Sequence, residues 1–320
     1  MPEPIHRDRL DGAAVAVAVF CCALWGGNSV AVKYAIPDLP PIGCAAVRFL
    51  IGLPVNFLIW RSSGHSLRVD RSLWWLVLLH GLFTVVQIGT FNWGTSHSEA
   101  GRSSVFINIH PLVVAPLAWL VLGERMGPRG VAGLVSAAAG VLVLLSEPYR
   151  RGGTGGMLTG DLVVLGSGLV FGVQTIVQKL TFPRIPATTL LVLQTAVAAA
   201  LAGSTSLAWE GPGAFHFTRG AVLGVLYQGL AVSGCAFGIW FILLRRYPAG
   251  RLATIAFLTP LIGVGLGHVT RGEPLTPPLL VGGAFVGFGI FLSASGRVPR
   301  TTPPPFEIDT DLGLPGEDAL

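Results

Sequence analysis

Ten runs of about 20 apolar residues, each enough to carry a helix across roughly 30 Å of hydrocarbon, set the frame for this chain of 320 residues. They fall at 13–35, 41–60, 73–95, 101–122, 128–146, 160–180, 186–207, 219–243, 250–270 and 277–295. Pro and short polar clusters separate them, as at 37–41, 61–71 and 149–156. The residue balance agrees: 52% of residues are hydrophobic and 12% charged, about half the charged share of a soluble globular domain. A formal charge of +5 does not make a nucleic-acid binder here, because the cations are scattered singly between apolar runs and form no basic face. Cys21, Cys22, Cys44 and Cys235 lie inside apolar runs without metal-ligand spacing, so they are read as packing residues, and neither metal nor cofactor is expected. The first run continues past Trp25 to about Ala35, too long for the core of a signal peptide, and is kept as an uncleaved helix.

Orientation follows from the basic residues. With the N-terminus inside, the cytoplasmic segments hold twelve (Arg7, Arg9, Arg61, Arg68, Arg71, Arg125, Arg129, Arg184, Arg245, Arg246, Arg297 and Arg300) and the outer segments four (Arg150, Arg151, Arg219 and Arg271). The expected protein is therefore multi-pass in the cell membrane, plasma or inner, with both termini cytoplasmic: a tail at 1–12 and a disordered, acidic, Pro-rich tail at 296–320.

The chain also repeats itself. Ala100 to Pro128 reads AGRSSVFINIHPLVVAPLAWLVLGERMGP and Ala249 to Pro277 reads AGRLATIAFLTPLIGVGLGHVTRGEPLTP, with AGR, Pro-Leu, Gly-Glu and Pro each recurring 149 residues later. Extended to 100–144 against 249–293, the ungapped match has eleven identities. Six are Gly or Pro, but Arg102 with Arg251 and Glu124 with Glu273 are matches that apolar bias cannot supply. The first spans of the two halves correspond as well: LWGGNSVAVKYA (24–35) lies on VFGVQTIVQKLT (170–181), Asn28 on Gln174 and Lys33 on Lys179. Five spans per half is an odd number, so the halves enter the membrane in opposite senses. The expected fold class is an all-α membrane protein of ten transmembrane helices built as two inverted five-helix repeats, 13–147 and 159–295, the geometry that alternating access requires.

Trp25-Gly26-Gly27-Asn28 with Lys33, Pro41 and Arg48, Pro111 with Gly123-Glu124, and Pro260 with Gly272-Glu273 together resemble the EamA family of the drug/metabolite transporter superfamily. The resemblance covers about 13–295. It implies a secondary transporter or exporter of small metabolites such as amino acids, with a central cavity between the halves. The second half begins Phe171-Gly172-Val173-Gln174 and lacks the Trp of the first, a departure that bears on the symmetry of that cavity.

Polar groups inside a bilayer are costly and mark sites by default, with helix-to-helix hydrogen bonding as the plain alternative. The candidate substrate-binding residues are Trp25, Asn28, Lys33, Arg48, Gln87, Asn92, Asn108, His110, Gln174, Tyr227, Gln228 and Trp240. Lys33 is near enough to the end of its span to snorkel. Arg48 is about 10 Å deep, so its expected partner is a helix-end carbonyl or a substrate carboxylate. Trp25, Phe91, Trp93, Tyr227 and Trp240 form either an aromatic cage or interface anchors. Asn108 and His110 stand beside Pro111, which frees a carbonyl to face a cavity. Pro111, Gly123, Glu124, Pro260, Gly272 and Glu273 are read as structural: each Glu is expected to clamp the amides opening the next helix, behind Pro128 or Pro277. No Asp or Glu lies in the middle of a span, so a carboxylate proton relay is hard to build, and His110 is the best-placed titrating group.

The small-residue pairs Gly168/Gly172, Gly263/Gly267 and Gly283/Gly287 suit close helix approach, whether between the halves, in a homodimer or on a sliding surface. An embedded enzyme would need paired carboxylates, a His-Glu-x-x-His helix or a nucleophile turn, and none is present. A non-transporting scaffold or sensor would not need polar groups at mid-depth. The expected partners are thus a small-molecule substrate and the lipid bilayer, not nucleic acid.

Overall fold

The computed structural model describes residues 11–122, 127–150, 156–246, 255–256 and 258–295. The two tails and the Gly123-Glu124 pair lie outside these. Among the described residues the chain is all-helical, with no strand. In order it forms α1 (Gly12–Gly26), α2 (Asn28–Ala35), α3 (Pro41–Ser63), α4 (Trp74–His97), α5 (Ala100–Ile107), α6 (His110–Leu122), α7 (Pro128–Arg150), α8 (Gly156–Thr181), α9 (Ala187–Trp209), α10 (Arg219–Leu226), a π-helical stretch (Tyr227–Ala236), α11 (Phe237–Arg246), α12 (Leu258–Arg271) and α13 (Pro277–Ser295).

Seven helical segments among the described residues are long and apolar enough to cross a membrane, as befits a multi-pass membrane protein. The runs at 101–122, 250–270 and 277–295 are the exceptions. The first is divided between α5 and α6, the second falls partly outside the described residues, and the apolar part of the third is the shorter Pro277–Leu292.

Proline fixes where several helices begin, because its missing N–H is harmless in the first turn and its φ is already helical. Pro40 and Pro186 stand at equivalent places, as the N-caps of α3 and α9, and these two helices pack along each other. So do α7 and α13. Their approach is close: a Cβ on Gly140 would meet the carbonyl of Gly282, and one on Gly289 the carbonyl of Gly133. Gly282 and Gly289, rather than the Gly283/Gly287 pair singled out in the sequence, line this seam. Gly283 faces Val105 and Gly287 has open space. The pairs Gly168/Gly172 and Gly263/Gly267 both serve internal packing, the first against Ile109 and Val113, the second against Ser104 and the Glu273 carboxylate.

α4 and α8 are joined by a ladder of polar contacts. His80 Nε2 lies 3.0 Å from Thr181 Oγ1, Gln174 Nε2 donates to Thr84 Oγ1 at 2.9 Å, and Gln87 Nε2 donates to Ser167 Oγ at 3.2 Å. Ser167 returns its own proton to the Gln87 carbonyl at 2.6 Å. Partners at 80, 84 and 87 against 181, 174 and 167 run in opposite order, as on two antiparallel helices, each set lying on one helix face.

Two carboxylates close helix N-termini from a distance. Glu273 accepts from the amides of Ala100 and Gly101 at 2.7 and 2.9 Å, capping α5 from 172 to 173 residues away in sequence. This corrects the expected local clamp behind Pro277: the buried amides opening α5 have no cap from their own N-cap side chain, whereas the helix behind Pro277 is capped by Thr276 Oγ1, which accepts from Leu279 N at 3.3 Å. Gly272 turns the chain toward them with φ of 65°, a left-handed value that favours glycine. Glu210 does the same for α3, accepting from Ile42 N at 2.9 Å and Gly43 N at 2.8 Å. Charge-assisted bonds of this kind carry about 1.5–3 kcal/mol. Glu273→Ala is expected to lower stability by about 2 kcal/mol, with Glu273→Gln recovering part of it through its one remaining acceptor. The thermal midpoint in detergent reads this, and an unchanged midpoint in the Ala variant would show that water caps α5 as well as Glu273 does.

Beside that cap lies a buried ionic cluster. Arg102 is 0% exposed; it donates to Glu147 Oε2, to Asp161 through Nε (3.0 Å to Oδ2) and Nη2, and to the Leu144 carbonyl at 2.7 Å. Ser98 Oγ also donates to Asp161. Glu147, just beyond the apolar run at 128–146, is buried in the last turns of α7, where Arg102 supplies its counter-charge.

Candidate functional site

The first transmembrane helix is interrupted at Gly27, where α1 ends and α2 begins. Around this break the candidate residues divide into those that come together and those that do not. Arg48, on α3, is 2% exposed. Its Nε donates to Ser233 Oγ at 2.6 Å and its Nη1 to Asn28 Oδ1 at 3.4 Å. Neither a helix-end carbonyl nor a carboxylate of the chain is its described partner, in contrast to the expected pairing. Ser233 was not anticipated: a lone Ser in an apolar run carries no signal, and only the π-helical stretch, which widens the turn, presents it to α3. Such stretches recur at functional positions.

Tyr227 and Gln228 open the same stretch. The Tyr227 hydroxyl donates to the Leu24 carbonyl at 2.9 Å, one turn before the break, and Gln228 is fully buried against the Cys44 thiol at 3.7–3.9 Å. Trp25 packs edge-on to Phe237 (5.7 Å) and Trp240 (4.9 Å), and its indole nitrogen is buried without a partner. Trp25, Asn28, Arg48, Tyr227, Gln228 and Trp240 thus gather around α1, α2, α3 and the π stretch, with Ser233 and Phe237 added.

The remaining candidates are engaged elsewhere. Lys33 donates to the Ser96 and Ser98 carbonyls at 3.3 and 2.9 Å, tying α2 to the turn before α5. Gln87 and Gln174 belong to the α4–α8 ladder. Asn92 donates to the Pro41 carbonyl at 3.0 Å. Phe91 is core, while Trp93 is 39% exposed against His97, so neither joins an aromatic cage.

Asn108 and His110 flank the break between α5 and α6, as Pro111 leads one to expect. Pro111 has no N–H for the Ile107 carbonyl, and His110 Nδ1 fills that place at 3.3 Å, which requires the proton on Nδ1. The imidazole lies against Phe171 at 4.3 Å, and Asn108 Nδ2 donates back to the Ser104 carbonyl at 2.7 Å. Both side chains are used by the break itself. Pro260 is buried in α12. Among the described residues no group of His, Cys, Asp and Glu could hold a metal ion.

Comparison with known proteins bears on this arrangement. The model of the EamA-like transporter family matches residues 12–146 and again 158–295. The chain belongs to the EamA-like transporter family. Within it, the chain is 28% identical over 302 residues to a "probable amino-acid metabolite efflux pump" of Salmonella typhimurium, covering 89% of this chain and 96% of the relative. It is 24% identical over 271 residues to the "uncharacterized transporter YoaV" of Bacillus subtilis, covering 84% and 92%. A crystal structure 21% identical in sequence superposes with a TM-score of 0.66, covering 88% of this chain and 96% of that one, which supports the helical fold of this EamA-like chain. Family and relatives alike are named for transport, not for an enzymatic reaction.

Proposed function

We propose that this EamA-like chain is a secondary transporter, an exporter or facilitator, of small organic metabolites, amino acids and their relatives among them, working by alternating access around a mid-depth site between two inverted five-helix repeats. The observation that carries this reading is Arg48: a guanidinium buried within α3 and held by a hydroxyl and an amide oxygen contributed by other helices. A buried charge without a counter-charge is expensive and is retained where a ligand supplies the partner.

The two-repeat architecture has its own support, while the cytoplasmic placing of both termini rests on the distribution of basic residues. The family model matches twice. Gly133 and Gly140 of α7 correspond to Gly282 and Gly289 of α13 at the 149-residue offset, and they meet crosswise, Gly140 with Gly282 and Gly289 with Gly133. Contacts of i with j′ and j with i′ are what a two-fold axis between the helices generates. Arg48 breaks that symmetry. At the offset of 146 that superposes Pro40 on Pro186, its counterpart is the neutral Gln194.

Purified protein in liposomes preloaded with a metabolite panel is expected to give counterflow of labelled substrate above empty liposomes; its absence across the panel sinks the transport reading. A pH gradient is expected to change the distribution of substrate little. The described acids Asp161 and Glu147 are bonded to Arg102 near helix ends, and His110 is occupied by Ile107. Accumulation driven by that gradient and abolished in His110→Ala would replace the facilitator reading with proton coupling.

A further inference from the structure

Of the two fully buried arginines among the described residues, one is paired with acids and the other is not. Arg102 bonds Asp161 and Glu147. Arg48 contacts Ser233 Oγ and Asn28 Oδ1, both uncharged acceptors, and among the described residues no carboxylate lies within 4 Å of it. The nearby Cys44 is bonded to Gln228. Lys33, the other cation suggested for this site, is committed to the Ser96 and Ser98 carbonyls. Among the described residues the site therefore carries a single permanent positive charge, and a ligand of one net negative charge makes the buried complex neutral. A zwitterion brings its own cation and leaves the charge of Arg48 unbalanced, with no acid among the described residues bonded here to receive an ammonium group.

The apolar half of the ligand is indicated by register. Trp25 comes three residues before Asn28, and Phe237 four residues after Ser233. One helical turn, about 5 Å, thus separates the guanidinium from the edge-to-face group of Trp25, Phe237 and Trp240 along both elements. The Trp25 indole N–H is buried there and makes no hydrogen bond. A carboxylate on Arg48 with a flat apolar body attached through two or three bonds spans that distance. A guanidinium takes a carboxylate bidentately, and the N–H groups of Nη1 and Nη2 not given to Asn28 are left for it while Nε stays on Ser233.

Resting on the transport reading and narrowing it, we propose that Arg48, Ser233 and Asn28 form a receptor for one carboxylate, and that the preferred substrate is an aryl-bearing organic monoanion rather than the corresponding amino acid. Three matched probes separate the possibilities: 3-phenylpropanoate carries the carboxylate alone, phenylalanine adds the ammonium, and 2-phenylethylamine carries the ammonium alone. Titration calorimetry on the full chain in nanodiscs is expected to rank phenylpropanoate at least about tenfold tighter than phenylalanine, with no heat from the amine. Arg48→Gln removes the ranking, Ser233→Ala weakens phenylpropanoate several-fold, and Trp25→Leu weakens both aryl acids together.

Phenylalanine bound as tightly as phenylpropanoate overturns the proposal, and so does phenylpropanoate binding that survives Arg48→Gln. Silence from all three probes in a preparation that gives counterflow with another metabolite overturns the aryl-carboxylate class and leaves transport standing. Arg48-dependent binding of phenylpropanoate without counterflow does the reverse: the receptor stands and the transport reading falls. Because the ranking is measured first on the unaltered protein, a variant that fails to fold does not shelter the idea.

Discussion

Arg48→Gln is expected to reduce counterflow by at least about a hundredfold while leaving the protein at least as heat-stable as before. The size follows from what is lost. A charge-assisted hydrogen bond contributes about 1.5–3 kcal/mol, a guanidinium offers two to a carboxylate, and each 1.4 kcal/mol is a factor of ten. The stability half follows from what remains. Ser233 and Asn28 are uncharged, so removing Arg48 leaves no stranded acid among the described residues, and it relieves the cost of a lone buried cation. Arg48→Lys keeps the charge without the planar fork and is expected to retain a few per cent of the rate. Initial rates in proteoliposomes, set beside the thermal midpoint of the same preparation, check both halves. A rate within about threefold of the parent would make Arg48 a packing residue and remove the site.

Arg102→Met is expected to do the opposite, costing about 3–5 kcal/mol of stability. Asp161 and Glu147 are 0% and 3% exposed. With the guanidinium gone, Asp161 keeps only Ser98 from its described set, and two buried anions face each other. Met fills much of the same volume, so the loss reports charge rather than a cavity. A fall of the midpoint by on the order of 10 °C is the expected reading. Replacing Asp161 and Glu147 by Asn and Gln in the same chain should restore much of it, because the acids are then no longer charged. If Arg102→Met alone melts with the parent, the cluster is wetter than its burial indicates. Two buried arginines, one on α3 and one on α5, thus predict opposite pairs of outcomes, set only by whether each has acids around it.

Much of this was legible from the amino-acid order. Apolar run length is a strong signal in a bilayer, since nothing but internal hydrogen bonding can satisfy the backbone, and the helix ends marked by Pro41, Pro128 and Pro277 fall where the sequence puts them. The depth of Arg48 was equally visible. What stayed hidden was partnership. Ser233 needs the π stretch to reach Arg48. Glu273 chooses the amides of Ala100 and Gly101 over those next to it, a choice made by tertiary proximity. Gln87 and Gln174, polar and at mid-depth like Asn28, turn out to bond each other's helices, and only the register between α4 and α8 tells the two situations apart. The helix break at Pro111 was legible, and with it the carbonyl of Ile107 that the proline leaves free. That carbonyl is then consumed on the spot by His110.

The ladder between α4 and α8 has a mechanical corollary. Its rungs on α8 stand seven residues apart, about 10 Å each, while on α4 all three fall within seven residues, about 10 Å in all. Sliding one helix past the other by a single turn would misplace every donor at once, so the pair behaves as one stiff beam. The helical hydrogen-bond pattern is interrupted or widened elsewhere, at Gly27, at Asn108-Ile109 and along Tyr227–Ala236, and these are the places expected to bend under the proposed alternating access. A pair of spin labels across α4 and α8 should accordingly hold its distance while labels on α2 or α11 move against it, making this seam the internal ruler for the motions of the rest.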